Sequence, residues 1–126
     1  GLWAENAGKN VAAAGNLLGD ASVPRTMVAK FEESENTSTH LADRLLDVIK
    51  AGLDAGGEAG PLRSAGIMVV DQLSWPIVDL RIDWTEGDPI RELNDLWAIY
   101  KPQMDDYVAR AISPGDAPSY GVPGDE

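Results

Sequence analysis

Cysteine is absent from this chain, so a disulfide frame, a thiolate nucleophile and a cysteine-ligated zinc are excluded within it. Histidine is nearly absent as well. His40 stands alone, and one imidazole near a helix start reads as a surface residue rather than as part of a triad or metal site. Basic residues are scarce: ten Lys and Arg face twenty-one Asp and Glu, a formal charge of −11. Such a field repels phosphate backbones and anionic headgroups, so neither nucleic acid nor a membrane surface is an expected partner. No apolar run approaches the ~18 residues that suggest a membrane span, and the first residues lack a basic-then-apolar leader pattern. Gly56-Gly57 is not followed by Lys-Ser or Lys-Thr, which removes a phosphate-cradling loop. Asp105 and Asp106 lack calcium-loop spacing. No metal and no cofactor is expected, and the cysteine-free composition fits a reducing cytoplasm.

What the chain does have suits one modest domain. It has 126 residues, 44% hydrophobic and 25% charged, ordinary values for a globular protein. Residues 11–18, Val-Ala-Ala-Ala-Gly-Asn-Leu-Leu, read as a small-residue strand. Gly15 within it signals a bulge or a close backbone approach. Ser22 caps a helix with Pro24 in its first turn, and Pro24, Met27, Val28 and Phe31 share one stripe. A second helix starts at Ser38 or Thr39, buries Leu41, Leu45, Val48, Ile49 and Leu53, and stops at Gly56-Gly57. On that helix Asp43, Arg44, Asp47 and Lys50 fall on the wet side.

A strand pair follows over residues 64–71 and 75–84, joined by a short turn. Strand side chains alternate between faces. Val78, Leu80, Ile82 and Trp84 therefore share an apolar face, and Ile77, Asp79, Arg81 and Asp83 share the other. Asp88-Pro89 opens a helix, with the acid as cap. Its stripe runs from Ile90 to Val108 through Pro102, which predicts a kink or restart there. The chain thus divides into a folded portion over residues 1–112 and a Pro/Gly-rich arm over 113–126, expected to lie on a neighbouring chain.

Three places carry candidate chemistry. Asn16 interrupts an apolar strand; its amide either satisfies a strand end or presents a donor to a developing oxyanion. Asp79, Arg81 and Asp83 form a structural salt network or an exposed edge, or else grip a substrate carboxylate, with Arg63 and Ser64 joining across the hairpin. If both sheet faces are covered, the row is buried and must be paired. Trp75, Trp84, Trp97 and Tyr100 read as core or interface anchors.

The order of these parts resembles a known family. Ala-Gly-Asn-Leu-Leu (14–18), Leu-Ala-Asp-Arg-Leu-Leu (41–46), Ala-Gly-Leu-Asp-Ala-Gly-Gly (51–57), Arg-Ser-Ala-Gly-Ile-Met-Val-Val (63–70), Val-Asp-Leu-Arg-Ile-Asp (78–83) and Asp-Pro-Ile-Arg-Glu-Leu (88–93) follow one another. Together they resemble the later half of a bacterial family, domain of unknown function ten-twenty-eight, over about residues 3–101. Many of its members carry a basic pair and a glutamine where this chain has Ala59-Gly60-Pro61-Leu62-Arg63. The resemblance implies an α+β fold: part of a four-layer αββα Ntn-hydrolase-like sandwich, completed by a separate N-terminal chain. It implies an amidohydrolase that cleaves a small amide or related acyl–nitrogen bond, with the nucleophile on the partner chain, since Gly1 has no nucleophilic side chain. Asn16 is then the catalytic candidate; Arg63, Ser64, Asp79 and Arg81 are the substrate-binding candidates. The expected partners are the N-terminal half as a separate chain, a small-molecule substrate, and further copies of the two-chain unit in a homo-oligomer. The alternative is a non-catalytic assembly or small-ligand-binding subunit.

Overall fold

A computed structural model describes residues 1–119. Its element order is β1 (Leu2–Ala7), β2 (Ala12–Leu18), α1 (Val23–Glu33), α2 (Leu41–Asp54), β3 (Ala65–Val69), β4 (Val78–Ile82), α3 (Pro89–Tyr100) and α4 (Met104–Ile112). The class is α+β, with two separate antiparallel hairpins, β1–β2 and β3–β4. Strand β1 is an element the sequence patterning did not indicate. Leu-Trp-Ala-Glu-Asn-Ala carries little period-2 contrast, and the strand is defined by its pairing with β2.

Each hairpin has one covered and one open face. Helix α1 packs on β1–β2, where the half-buried side is made of Ala4, Asn6, Ala13 and Gly15. Such small residues let a helix approach the sheet closely. Helices α2 and α3 pack on β3–β4. There the main core gathers Ala42, Leu46, Ile67, Val69, Val78, Leu93 and Trp97. The α1–α2 contact joins the two halves.

Sequence patterning located most boundaries, and packing moved some of the details. Ser22 does occupy the N-cap position of α1, but its side chain makes no cap bond. Its backbone is helical, and its N–H instead donates to Asp20 Oδ1 at 2.8 Å. The N-cap of α2 is His40, not Ser38 or Thr39: Nδ1 accepts from Ala42 N at 3.0 Å. His40 is half-buried and its ring lies tilted against Trp97 at 5.2 Å between centroids, so it is not a free surface residue. Of the predicted stripe of α2, Val48 is buried and Leu45 and Ile49 pack half-buried against the core. Leu41 and Leu53 at the two ends are exposed, and Ala42, Leu46 and Gly52 are buried instead. Both α1 and α3 flank the helix and widen its covered face. This packing also draws Asp43 and Arg44 off the wet side into interhelical ties. Arg44 stacks over the Phe31 ring at 4.1 Å and donates to Ser34 Oγ at 2.8 Å and Phe31 O at 3.2 Å.

Asp88 caps α3 as its Asp-Pro start predicts, with Oδ1 accepting from Ile90 N at 3.0 Å and Arg91 N at 3.1 Å. At Pro102 the helix gives way to a single 3₁₀ turn, Lys101–Gln103, before α4 restarts. Ile77 lies outside β4 and packs against the core instead of joining the charged row. Trp84 follows the end of β4, leaves the apolar face and is 69% exposed. Of the predicted arm, Pro114–Asp116 forms a 3₁₀ turn and Arg110 donates to Pro118 O at 2.8 Å. The remainder, residues 120–126, lies outside the described residues. No helix of the described residues is long and apolar enough to cross a membrane.

Candidate functional site

Asn16 owes its setting to an irregularity in β2. Leu2 pairs with Leu18 and Ala4 with Gly15, so Asn16 and Leu17 together face the single residue Trp3. That is a β-bulge, a device that bends a strand and re-aims a side chain. Leu17 takes φ 53°, the left-handed region that costs a residue with a Cβ about 1–2 kcal/mol. Two backbone hydrogen bonds hold it there. Leu17 O accepts from Ala59 N at 2.7 Å and Gly19 N donates to Gly57 O at 2.8 Å, and together they make Leu18 and Glu58 an antiparallel bridge. Residues 57–59 thereby lie along the end of β2. Glycine is required at the crossing: a Cβ on Gly19 would stand 2.3 Å from Gly56 O, and Gly56 itself has φ 137°.

Beside the bulge is a cleft of about 330 Å³. Val23, Pro24 and Met27 of α1 and Ile49, Gly52 and Leu53 of α2 form its walls, with Leu62 and Ile90 also lining it. Asn16 and Glu58 are the two lining residues with polar side chains. Neither side chain makes a hydrogen bond or ion pair among the described residues. The Asn16 amide has two N–H donors and one acceptor oxygen to offer a ligand, and Glu58 offers a carboxylate.

The other candidates gather elsewhere. Ser64, Gly66, Arg81 and Asp83 line a shallow depression of about 340 Å³ on the open side of β3–β4. Gly66 pairs with Arg81 and Met68 with Asp79, which leaves Asp79 exposed one step along the same face as Arg81. Arg81 Nε stands 3.5 Å from Asp83 Oδ1, with the two side chains 71% and 79% exposed. A buried, paired network is therefore not what this chain forms: among the described residues nothing covers that face, and the row is solvated. Arg63 sits apart, its guanidinium 5.5 Å from the Trp84 ring and its carbonyl accepting from Thr85 N at 2.9 Å.

Asn16 is thus in one depression and Ser64 with Arg81 in another. The segment 62–64 runs between them, Leu62 lining the first and Ser64 the second. Glu58 was not legible as a site residue, because an acid directly after a glycine pair reads as loop surface. Leu17 gave no signal either, since a left-handed leucine has no sequence signature. Among the described residues no group of three or more His, Asp or Glu is placed to hold a metal ion.

The family model described as Family of unknown function (DUF1028) matches residues 1–93. No curated protein and no solved structure matches the chain. The chain belongs to the DUF1028 family.

Proposed function

We propose that this member of the family is one part of a two-part amide-bond hydrolase of the Ntn type. A separate N-terminal chain supplies the nucleophile and the remaining strands of a four-layer αββα sandwich. The observation that carries this reading is the uncommitted amide of Asn16, set on a strained bulge beside an apolar cleft. Strained backbone and bulges concentrate at working sites. An amide with no partner of its own is free to serve a ligand.

In this reaction the partner's N-terminal Ser, Thr or Cys attacks the substrate carbonyl, and its own α-amine takes the proton. The tetrahedral oxyanion accepts a hydrogen bond from Asn16 Nδ2. Collapse breaks the C–N bond, the α-amine returns the proton to the leaving amine, and water then hydrolyses the acyl-enzyme. Arg81 and Ser64, with Asp79 one step along the same face, hold a polar substituent of the substrate where the partner closes over the open face of β3–β4. Arg63, set apart against Trp84, takes no part.

The two-chain arrangement has its own support. Among the described residues both sheets have only two strands and both leave a face uncovered, and Trp3 is 72% exposed at the bulge. Isolated two-stranded sheets are marginal, and added strands or a covering layer stabilise them. Met68 and Val70 are exposed on the second hairpin, which also favours the other reading, a non-catalytic assembly subunit.

The deciding experiment pairs this chain with its N-terminal half and screens small amides. Asn16→Ala is expected to lower kcat about 10²–10³-fold without changing the melting temperature, because Asn16 is exposed and unbonded. Unchanged turnover in N16A overturns the oxyanion role. A reconstituted complex that assembles but turns over no amide favours the assembly subunit.

A further inference from the structure

The cleft beside Asn16 has a chemical bias that amide hydrolysis alone does not require. Its wall is apolar, built from Val23, Pro24, Met27, Ile49 and Leu53, and Glu58 is the charged residue that lines it. No Lys, Arg or His pairs with Glu58 among the described residues. We propose that the cleft binds a small amphiphile with one protonated amine, its apolar body against α1 and α2 and its ammonium on Glu58. This rests on the same cleft as the proposed hydrolase and names the class of molecule that enters it.

Three observations support the choice of ligand. First, about 330 Å³ lies at the lower end of small-molecule sites, enough for a short alkyl chain or one ring and too little for a peptide. Second, an apolar wall with few polar groups fixes a ligand's orientation through those groups, and here they are one carboxylate and one amide. Third, the formal charge of −11 draws cations toward the whole surface and disfavours carboxylate ligands. The backbone of Glu58 is also held in position, bridged to Leu18 by Gly19 N to Gly57 O at 2.8 Å and Ala59 N to Leu17 O at 2.7 Å. On pairing, Glu58 therefore has only its side-chain torsions left to order.

The test uses the full chain and three probes of equal length: hexylamine, hexanol and hexanoate. Binding is followed by the amide NMR shifts of Gly15, Gly52 and Gly57, which line the cleft. Hexylamine is expected to bind tightest and hexanoate weakest, with the amine's advantage shrinking as salt is added. Glu58→Gln is expected to reduce hexylamine affinity about three- to fivefold, the worth of one partly exposed charge pair, and to leave hexanol unchanged. Glu58 is exposed, so this substitution keeps the fold. Equal binding of amine and carboxylate, an unchanged amine affinity in E58Q, or no probe bound at the cleft overturns the proposal. Amine binding persists if the two-part complex proves inactive, so failure of the hydrolase reading is read separately.

Discussion

Trp97 donates its indole Nε1–H to Asp43 Oδ1 at 2.9 Å, which ties α3 to α2 across the main core. The second oxygen of Asp43 accepts from Lys101 Nζ at 2.8 Å. One carboxylate thus anchors the last turn of α3 and the 3₁₀ turn that follows it, and the His40 ring lies tilted against the same indole.

This tie makes stability depend on acid. Partial burial pushes the Asp43 carboxyl up, but hydrogen bonds from Lys101 and Trp97 outweigh it and leave the group below its ordinary 3.8. A carboxyl depressed in the folded state stabilises fully above its unfolded value, and that contribution is lost as pH falls through the folded one. Thermal midpoints taken from about pH 6 down to about pH 2 should therefore fall more steeply in the native chain than in Asp43→Asn. Equal slopes would show that Asp43 gains nothing from its two donors.

The two helix caps differ in chemistry and should respond differently. Asp88→Ala removes the acceptor of two N–H groups and should cost about 1 kcal/mol in a urea titration. His40→Ala removes one acceptor and also the ring that lies against Trp97. His40→Asn restores the cap without the ring, so its stability should lie between His40→Ala and the native chain.

Leu17→Gly should stabilise the chain. Relief of the left-handed leucine is worth about 1–2 kcal/mol, and the greater freedom of glycine when unfolded takes back about 0.5–1 kcal/mol. Leu17 is 59% exposed, so little burial is lost. A net gain of up to about 1.5 kcal/mol follows, read as a higher urea midpoint with an unchanged slope. A lower midpoint would mean that the leucine side chain contributes more than its exposure suggests.

Leu93 is fully buried between α3 and the β3–β4 hairpin. Leu93→Ala should cost about 2–5 kcal/mol, whereas Ile99→Ala, at a position 64% exposed, should stay within about 0.5 kcal/mol. Comparable losses at both positions would contradict the assigned buried face of α3.

Local patterning made much of the fold legible. Gly56-Gly57, Asp88-Pro89 and Pro102 act through backbone sterics and short-range hydrogen bonds, so helix stops, starts and the break after Tyr100 could be read directly. Alternation in residues 78–82 likewise separated the core face of β4 from its charged face. What failed was whatever depended on neighbours. The leucines at both ends of α2 read as buried but are exposed, since α1 and α3 cover other positions. His40, which reads as a surface residue, caps α2 with its ring against Trp97 of α3.

For the site, the sequence by itself determined that Asn16 is out of place in an apolar strand, that β4 alternates apolar and charged residues, and that this chain supplies no thiol of its own. Those are properties of residue type and spacing. Tertiary structure decided the rest: the bulge that puts Asn16 at a cleft, the loop that brings Glu58 beside β2, and the bare sheet face that leaves Asp79, Arg81 and Asp83 in water. Each is a pairing between segments distant along the chain, and such pairings depend on register and packing that local composition does not encode.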